Sequence, residues 1–210
     1  MKTRIILERH GQSVGNAERI FLGHTNLGLT EEGREQAEIT AEHLKDEPLA
    51  AIYSSDLKRA CDTALPHAKR RGMEILTSEK LREFFVGDWE GMDVRELREN
   101  HYEEFVIRRS YRDFTYPNGE SCDEVFRRMS EELLKIAAEN PGKTVLVVSH
   151  AAAIRAFWYK LCNYTEENMD DRLKLMQNCA YCILDCENGR LIPRKYGISE
   201  HLPETKIHPV

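Results

Sequence analysis

The chain has 210 residues, of which 41% are hydrophobic and 31% charged, a balance typical of a soluble globule rather than a disordered chain. A formal net charge of −6 and a pI of about 5.8 argue against a general nucleic-acid-binding protein, which is usually basic. No apolar run approaches the roughly 20 residues that span a bilayer, and the apolar run near the start is too short for a signal peptide. We therefore expect a cytoplasmic protein with neither a membrane nor a nucleic-acid partner, folded as a single domain over residues 1–210.

Short apolar runs predict the strands. In chain order, the runs that read as strands buried on both faces are Ile5–Leu7, Ala51–Tyr53 and Val145–Val148, with Met73–Thr77 as a weaker candidate. Helical patterns follow most of these runs. An α/β protein with a mainly parallel sheet is therefore expected.

The helix signals are local. Thr30 is a candidate N-cap followed by two glutamates, whose charge suits the start of a helix. Apolar stripes at helical spacing cover Leu57–Ala68 and Ile154–Leu161. Ser121 with Glu124 forms a capping-box signature for a helix that the "NPG" sequence ends.

Strands that alternate with helices predict a three-layer sandwich, with a mainly parallel central sheet flanked by helices. The segment 93–117 is polar, aromatic and basic, and we interpret it as a helical insertion that forms a lid. The sequence contains no internal repeat or low-complexity linker that would divide the chain.

Reactive side chains follow the predicted strands. Arg9 and His10 stand at the end of the first strand, and His150 follows the "VLVVS" strand. Arg59 lies in the first turn of the helix after "AIYSS", and Glu83 lies in the loop beyond the fourth candidate strand. Because ligands bind at the carboxyl ends of the strands in an open α/β sheet, we expect these five side chains at one edge.

This combination of groups suits phosphoryl transfer. Arginines match a phosphoryl dianion with two parallel hydrogen bonds and stay charged. A neutral imidazole can attack phosphorus, and a second histidine can donate to the oxygens of the transferring group. A carboxylic acid can protonate the leaving alkoxide and then deprotonate the attacking water. The scheme needs no metal and no other cofactor, and it predicts a small-molecule phosphomonoester as the substrate.

Six motifs resemble those of the histidine phosphatase superfamily, the phosphoglycerate-mutase-like group, and stand in the family's order. They are "RHGQSVGN" (9–16), "LGLTEEGREQAE" (27–38), "YSSDLKRACDTA" (53–64), "LREFFVGDWEG" (81–91), "YPNGES" (116–121) and "VSHAAAIR" (148–155). The resemblance implies that His10 is the phosphorylated nucleophile and that Glu83 is the proton donor. It implies further that Arg9, Arg59 and His150 form the phosphate pocket, with help from Asn16.

The chain departs from the family pattern at three positions. Asn26 and Gly28 stand in "NLGLT" where family members often have Asp-x-Pro-Leu-Thr, and Ala151 replaces the glycine of Ser-His-Gly. None of these changes removes a catalytic group.

Phosphatase and mutase activities differ in the acceptor of the phosphoryl group. "RRSY", with Arg108 and Arg109, is similar to a basic stretch that mutases use against the substrate carboxylate, and Gly23 lies in the neighbouring "FLGHT" loop; these three are candidate substrate-binding residues. Against a mutase, Leu22 stands where mutases usually carry a small hydroxylated residue. "LREFFVGDWEG" and "YPNGES" resemble the phosphatases more closely, so we expect a phosphatase, with a mutase as the alternative. A non-catalytic binding module of the same fold is disfavoured because all five reactive residues are present.

Other histidines and the cysteines are interpreted as structural. The histidines in this group are His24, His43, His67, His101, His201 and His208. In "CAYCILDC", a strand would place Cys179 and Cys182 on opposite faces and Cys182 and Cys186 about 13 Å apart, too far to share one metal ion. The tail and the oligomeric state carry no readable pattern.

Overall fold

The computed structural model describes residues 1–104, 114–164 and 176–203. Its strands are β1 (Lys2–Arg9), β2 (Leu49–Ser54), β3 (Ile75–Thr77), β4 (Thr144–Ser149), β5 (Tyr181–Glu187) and β6 (Arg190–Ile198). They form one sheet in the order β3-β2-β4-β1-β5-β6. β1, β2, β3 and β4 are parallel to one another, whereas β5 is antiparallel to both β1 and β6. The prediction of a mainly parallel sheet is confirmed.

Helices cover both faces of this sheet. They are α1 (Val14–Glu18), α2 (Glu31–His43), α3 (Lys58–Arg71), α4 (Val94–Asn100), α5 (Cys122–Glu139) and α6 (Ala151–Leu161). The predicted caps are present: the Thr30 side chain accepts from the N–H of Gly33, and Ser121 and Glu124 form the reciprocal capping box. α5 ends at Asn140, as the "NPG" sequence predicts.

The alternation of side chains along the central strands fills two cores. Ile5 and Leu7 of β1 pack in the larger core, beneath α5 and α6, whereas Ile6 packs in the smaller core, beneath α3. All three side chains are buried. Strands that are apolar on both faces therefore give the three-layer sandwich that the sequence predicts.

The sheet extends further than expected at one edge. β6 was not predicted, because its side chains are mostly exposed or half-buried and it contains Pro193, both of which suit an edge strand. β3 is shorter than the predicted Met73–Thr77 run. Cys179 precedes β5 and has a positive φ of 61°, so the strand argument applies only to Cys182 and Cys186.

Both ends of the segment interpreted as a lid pack into the larger core. Val94 and Leu97 of α4 and Phe114 and Tyr116 are all buried. The middle of this segment, 105–113, lies outside the described residues, and the lid therefore remains a prediction. Within the described ranges, no helix has the length and apolar character needed to cross a bilayer.

Candidate active site

The ends of two neighbouring parallel strands bring His10 and His150 together. β1 pairs with β4 as far as Arg9 and Ser149, and the N–H of His10 donates to the carbonyl of Ser149 at 3.0 Å. The two imidazole centroids are 5.1 Å apart, with the ring planes at 60°. His10 is 4% exposed and His150 is fully buried. The sequence-predicted pair therefore lies at one edge of the sheet.

The backbone selects the tautomer of His10. Its Nδ1 lies 2.6 Å from the carbonyl oxygen of Gly11, and a carbonyl can only accept, so Nδ1 carries the proton and Nε2 carries a lone pair. Burial, reinforced by Arg59 and Arg9, lowers the pKa of His10 well below its usual value. The ring is therefore neutral near pH 7, with a basic nitrogen directed away from the Gly11 bond.

His150 is held through Nε2, whereas His10 is held through Nδ1. Nε2 lies 2.8 Å from the hydroxyl of Ser55, which also accepts a bond from the N–H of Leu57 at 3.3 Å. Burial, followed by the charge of Arg59, lowers the pKa of His150 well below its usual value. Its Nδ1 is buried and makes no hydrogen bond to any described residue. That nitrogen is the one left for a ligand.

Arg59 is buried in the first turn of α3, where a surface charge would be the ordinary expectation. Only 1% of the residue is exposed. Its two terminal nitrogens donate to the carbonyls of Gly23 and Thr25 at 2.7 and 2.9 Å. The unfavourable position at the helix start is thus offset by carbonyl oxygens, and Glu83 and Glu90 add favourable charge.

Arg9 supplies a second buried guanidinium. It donates to the carbonyl of Met176, and its Nε makes no hydrogen bond to a described residue. Burial, opposed by the charge of Glu83, lowers the pKa of Arg9 to about 10, so the group stays charged at neutral pH. Two buried cations beside two neutral imidazoles give this edge of the sheet a locally positive potential.

Glu83 joins this region through the start of α6. Its carboxylate accepts from the N–H groups of Ala152 and Ala153 at 3.0 and 2.7 Å, and from that of Phe84 at 3.0 Å. The neighbouring cation, Arg82, pairs with Asp56 rather than with Glu83. The carboxyl group is consequently fixed close to Arg9 and Arg59.

Sequence reasoning missed the residues that hold the Glu83 backbone. The Glu83 carbonyl accepts from Arg128 Nη2 and from His24 Nε2, both at 2.9 Å. Glu120 in turn binds Arg128 through both carboxylate oxygens. The "LREFFVGDWEG" motif contains Glu83 but gives no sign of these partners, because they come from distant segments.

The loop that contains Gly23 is held from two sides. The carboxylate of Glu90 accepts from the N–H groups of Gly23, His24 and Thr25, while Arg59 binds the carbonyls of the same loop. Although burial opposes it, these bonds hold the pKa of Glu90 below its usual value. A Cβ at Gly23 would lie 2.4 Å from the carbonyl oxygen of Phe84, so the loop requires a glycine there.

Asn16 is linked to His10 by hydrogen bonds from a second asparagine, Asn178. Its Oδ1 accepts from the N–H of Ser13 at 3.1 Å and from Asn178 Nδ2 at 3.2 Å, and Asn178 also donates to the carbonyl of His10 at 3.0 Å. The oxygen of Asn16 is therefore engaged, and its amide nitrogen is the group that could meet a ligand. Asn178 had no sequence signal.

Asn26 can be placed in the structure, whereas two of the predicted substrate-binding residues cannot. Asn26, one of the departures from the family pattern, accepts from the N–H of Lys58 at 2.6 Å and so caps the start of α3, whose own cap residue, Leu57, has no capping side chain. Arg108 and Arg109 lie outside the described residues.

Comparison with known proteins gives one family. A sequence model of the histidine phosphatase superfamily (branch 1) matches residues 5–199. Phosphoglycerate mutase-like protein 4 of Arabidopsis thaliana is 38% identical over 207 residues, which is 96% of this chain and 87% of that protein. Phosphoserine phosphatase 1 of Hydrogenobacter thermophilus is 32% identical over 208 residues, 96% of this chain and 95% of that protein.

A solved structure agrees with this assignment. The mycobacterial glucosyl-3-phosphoglycerate phosphatase Rv2419c superposes with a TM-score of 0.84 at 27% identity, covering 95% of this chain and all of the other. The match to the family model, over residues 5–199, includes both His10 and His150. The chain belongs to branch 1 of the histidine phosphatase superfamily.

Proposed function

We propose that the protein is a metal-independent phosphomonoesterase that acts on a small phosphorylated metabolite through a phosphohistidine at His10. The observation that carries this proposal is the bond from Nδ1 of His10 to the Gly11 carbonyl at 2.6 Å. It leaves the lone pair on Nε2, in a ring whose pKa burial keeps well below its usual value. A neutral imidazole with a free, oriented nitrogen is the nucleophile that phosphoryl transfer needs.

In the first step, Nε2 of His10 forms a bond to phosphorus while the bond from phosphorus to the ester oxygen breaks. Arg9, Arg59 and the Nδ1 side of His150 donate to the phosphoryl oxygens, and the amide of Asn16 adds a fourth donor. Glu83 gives its proton to the leaving alkoxide. Glu83 is positioned for this role by the N–H groups of Ala152 and Ala153, which hold its carboxyl group at the edge of the sheet that carries both histidines.

In the second step, water attacks phosphorus and the bond to Nε2 breaks. Glu83, now a carboxylate, takes a proton from that water, and inorganic phosphate leaves with His10 restored as neutral imidazole. One residue thus serves as acid and then as base. The buried cations stabilise the charge in both steps, and the scheme contains no step for a metal ion.

Two relatives favour hydrolysis over internal transfer. One is named a phosphoserine phosphatase and the other a glucosyl-3-phosphoglycerate phosphatase. The name of the Arabidopsis relative keeps phosphoglycerate mutase activity as the second candidate. In that case a bound hydroxyl group, rather than water, takes the phosphoryl group from His10.

A panel of substrates distinguishes phosphatase from mutase activity. Phosphate release would be measured with p-nitrophenyl phosphate, phosphoserine, and sugar and nucleoside monophosphates, and 3-phosphoglycerate would be followed for both phosphate and its isomer. We expect phosphate from several monoesters, without isomerisation and unchanged by a chelator. Isomerisation with little phosphate released would make the protein a mutase, and chelator inhibition reversed by a divalent ion would contradict the metal-free scheme.

A further inference from the structure

A stripe of polar side chains runs along the buried face of α3. Arg59, Thr63 and His67 are spaced four residues apart and therefore lie on one face of the helix. They are 1%, 0% and 0% exposed, respectively. A helix face buried against a sheet is ordinarily apolar, so three consecutive polar positions need a partner of matching chemistry.

The partners of Thr63 and His67 lie in β1 or directly after its end. Thr63 Oγ1 accepts from the N–H of Gly11 at 2.9 Å. His67 Nε2 lies 3.1 Å from Oε2 of Glu8, with both side chains fully buried. These two contacts therefore flank Arg9 and His10, while the first residue of the stripe, Arg59, reaches the phosphate pocket itself.

The Glu8–His67 pair is not an arrangement that maximises stability. The two groups are at ion-pair distance without a linear hydrogen bond, and Nδ1 of His67 has no hydrogen-bond partner among the described residues. Burial raises the pKa of Glu8, and the charge of His67 only partly opposes this. Replacing such a buried pair by apolar groups is often neutral or stabilising. Its presence two residues before His10 therefore calls for a role other than stability.

A third element meets the same carboxylate. Burial, followed by the charge of Glu8, raises the pKa of the Cys179 thiol well above its usual value, so the thiol stays protonated next to Glu8. The N–H of Cys179 donates to the carbonyl of Arg9 at 3.1 Å. Glu8 thus lies where α3, β1 and the segment before β5 converge under the nucleophile.

We propose that Glu8 and His67 are positioning residues, whose buried contact locks α3 to β1 and so holds Arg59 in register with His10. α3 carries Arg59 at its first turn and His67 two turns later, so a contact at His67 fixes the helix along β1. The inference rests on the proposed function, because the alignment matters for attack on a phosphoryl group. Misplacement of such a group by about 1 Å can cost about a hundredfold in rate.

The test uses a graded series of variants. E8Q keeps a polar partner for His67 but removes the charge, and E8L/H67L removes both polar groups without leaving one unpaired. The matched control is D185N, because Asp185 is also a buried acid with basic partners but lies opposite Arg4, at the far end of β1. Each variant is assayed with p-nitrophenyl phosphate at a temperature at which it is fully folded.

We expect kcat to fall about threefold in E8Q and about tenfold in E8L/H67L, while KM and the free energy of unfolding of the double variant change little. Amide hydrogen exchange at Gly11, measured by NMR relative to Leu7, should accelerate in the same order. D185N should leave kcat and the Gly11 exchange rate unchanged. Wild-type kcat and Gly11 exchange in the folded double variant would overturn the proposal, as would wild-type values in E8Q if the double variant does not fold.

The exchange measurement also separates this proposal from the proposed function. If the wild-type protein hydrolyses no monoester, the phosphatase assignment fails. Faster Gly11 exchange in the variants would then still support the lock between α3 and β1, and unchanged exchange would exclude it.

Discussion

His10 and His150 occupy equivalent places in the fold and differ in one respect that decides their chemistry. Each follows a buried parallel strand, and burial lowers the pKa of each ring well below its usual value. His10 is bonded through Nδ1 to a backbone carbonyl, whereas His150 is bonded through Nε2 to the hydroxyl of Ser55. The two rings therefore present different nitrogens to the space between them.

This difference teaches that burial makes a histidine neutral, but its hydrogen-bond partner decides what the neutral ring can do. A carbonyl forces the proton onto Nδ1 of His10 and leaves a lone pair on Nε2, the nitrogen that attacks in the proposed reaction. The Ser55 hydroxyl, which accepts from Leu57, can give its own proton to Nε2 of His150. His150 then carries its proton on Nδ1, from which it would donate to a phosphoryl oxygen in the proposed reaction.

Removing the nucleophile should have the largest effect. His10→Ala should lower kcat more than about a thousandfold, because no other group can form the covalent intermediate. The fold should remain intact, since His10 lies at the end of a strand. The control is His101→Ala, at a half-exposed histidine in the cap after α4. Residual turnover above about one part in a thousand would contradict the assignment of His10.

Removing the donor should have the next largest effect. His150→Ala should lower kcat about a hundredfold, as the loss of one transition-state donor does, while slow phosphorylation of His10 remains detectable. His150→Asn places an amide N–H near the position of Nδ1 and should recover part of the rate. Equal losses in the two variants would show that Nδ1 is not the donor.

Glu83→Gln tests the role of the carboxyl group independently of the two histidines. Proton transfer to an alkyl leaving group contributes about a hundredfold, so release of serine or a sugar should slow by this order. Release of p-nitrophenolate needs no proton and should be affected much less, giving a burst followed by slow hydrolysis. Equal slowing of the first step for both leaving groups would remove Glu83 from the role of acid.

The lowered pKa values also predict a pH dependence of stability. Both folded rings resist protonation, so below the unfolded pKa of about 6.5 the unfolded chain takes up protons first and the free energy of unfolding falls. At pH 5.5 each ring should cost about 1 kcal/mol relative to pH 7.5. Urea unfolding at the two pH values measures the loss, and His150→Asn should reduce it. A loss that is the same in this variant would exclude His150 as a contributor.

The smallest expected effect concerns the partner of His150. Ser55→Ala should lower kcat about threefold, because it removes one neutral hydrogen bond without removing a reacting group. Ser130→Ala is the control, at a buried hydroxyl of α5 that has no hydrogen-bond partner among the described residues. A loss in Ser55→Ala as large as that in His150→Ala would make the serine part of the chemistry itself.

The sequence predicts the strand ends well because the apolar runs and the polar residues that follow them are local signals. Arg9, His10 and His150 each come directly after such a run. The tautomer of His10 could not be predicted, because it depends on the direction of the Gly11 carbonyl. The hydrogen-bond partners of Arg59 could not be predicted either, since they are backbone carbonyls in a loop about 35 residues earlier.

The sequence does not predict β6 or the Glu8–His67 pair, for different reasons. β6 follows an Asn188–Gly189 turn in which both residues have a positive φ, of 50° and 72°; this dipeptide is a strong hairpin signal and could have predicted the strand. Glu8 and His67 carry no such signal. His67 was interpreted as structural because its partner lies on another element, and only packing reveals the pair.

The central claim is tested most directly by trapping the intermediate. The protein would be mixed with a ³²P-labelled monoester, quenched in denaturant at alkaline pH, and digested for mass spectrometry. We expect one phosphoryl group per chain, acid-labile and on His10, formed and consumed fast enough to support turnover. Turnover with no label, or with label on another residue such as Ser13, would contradict it.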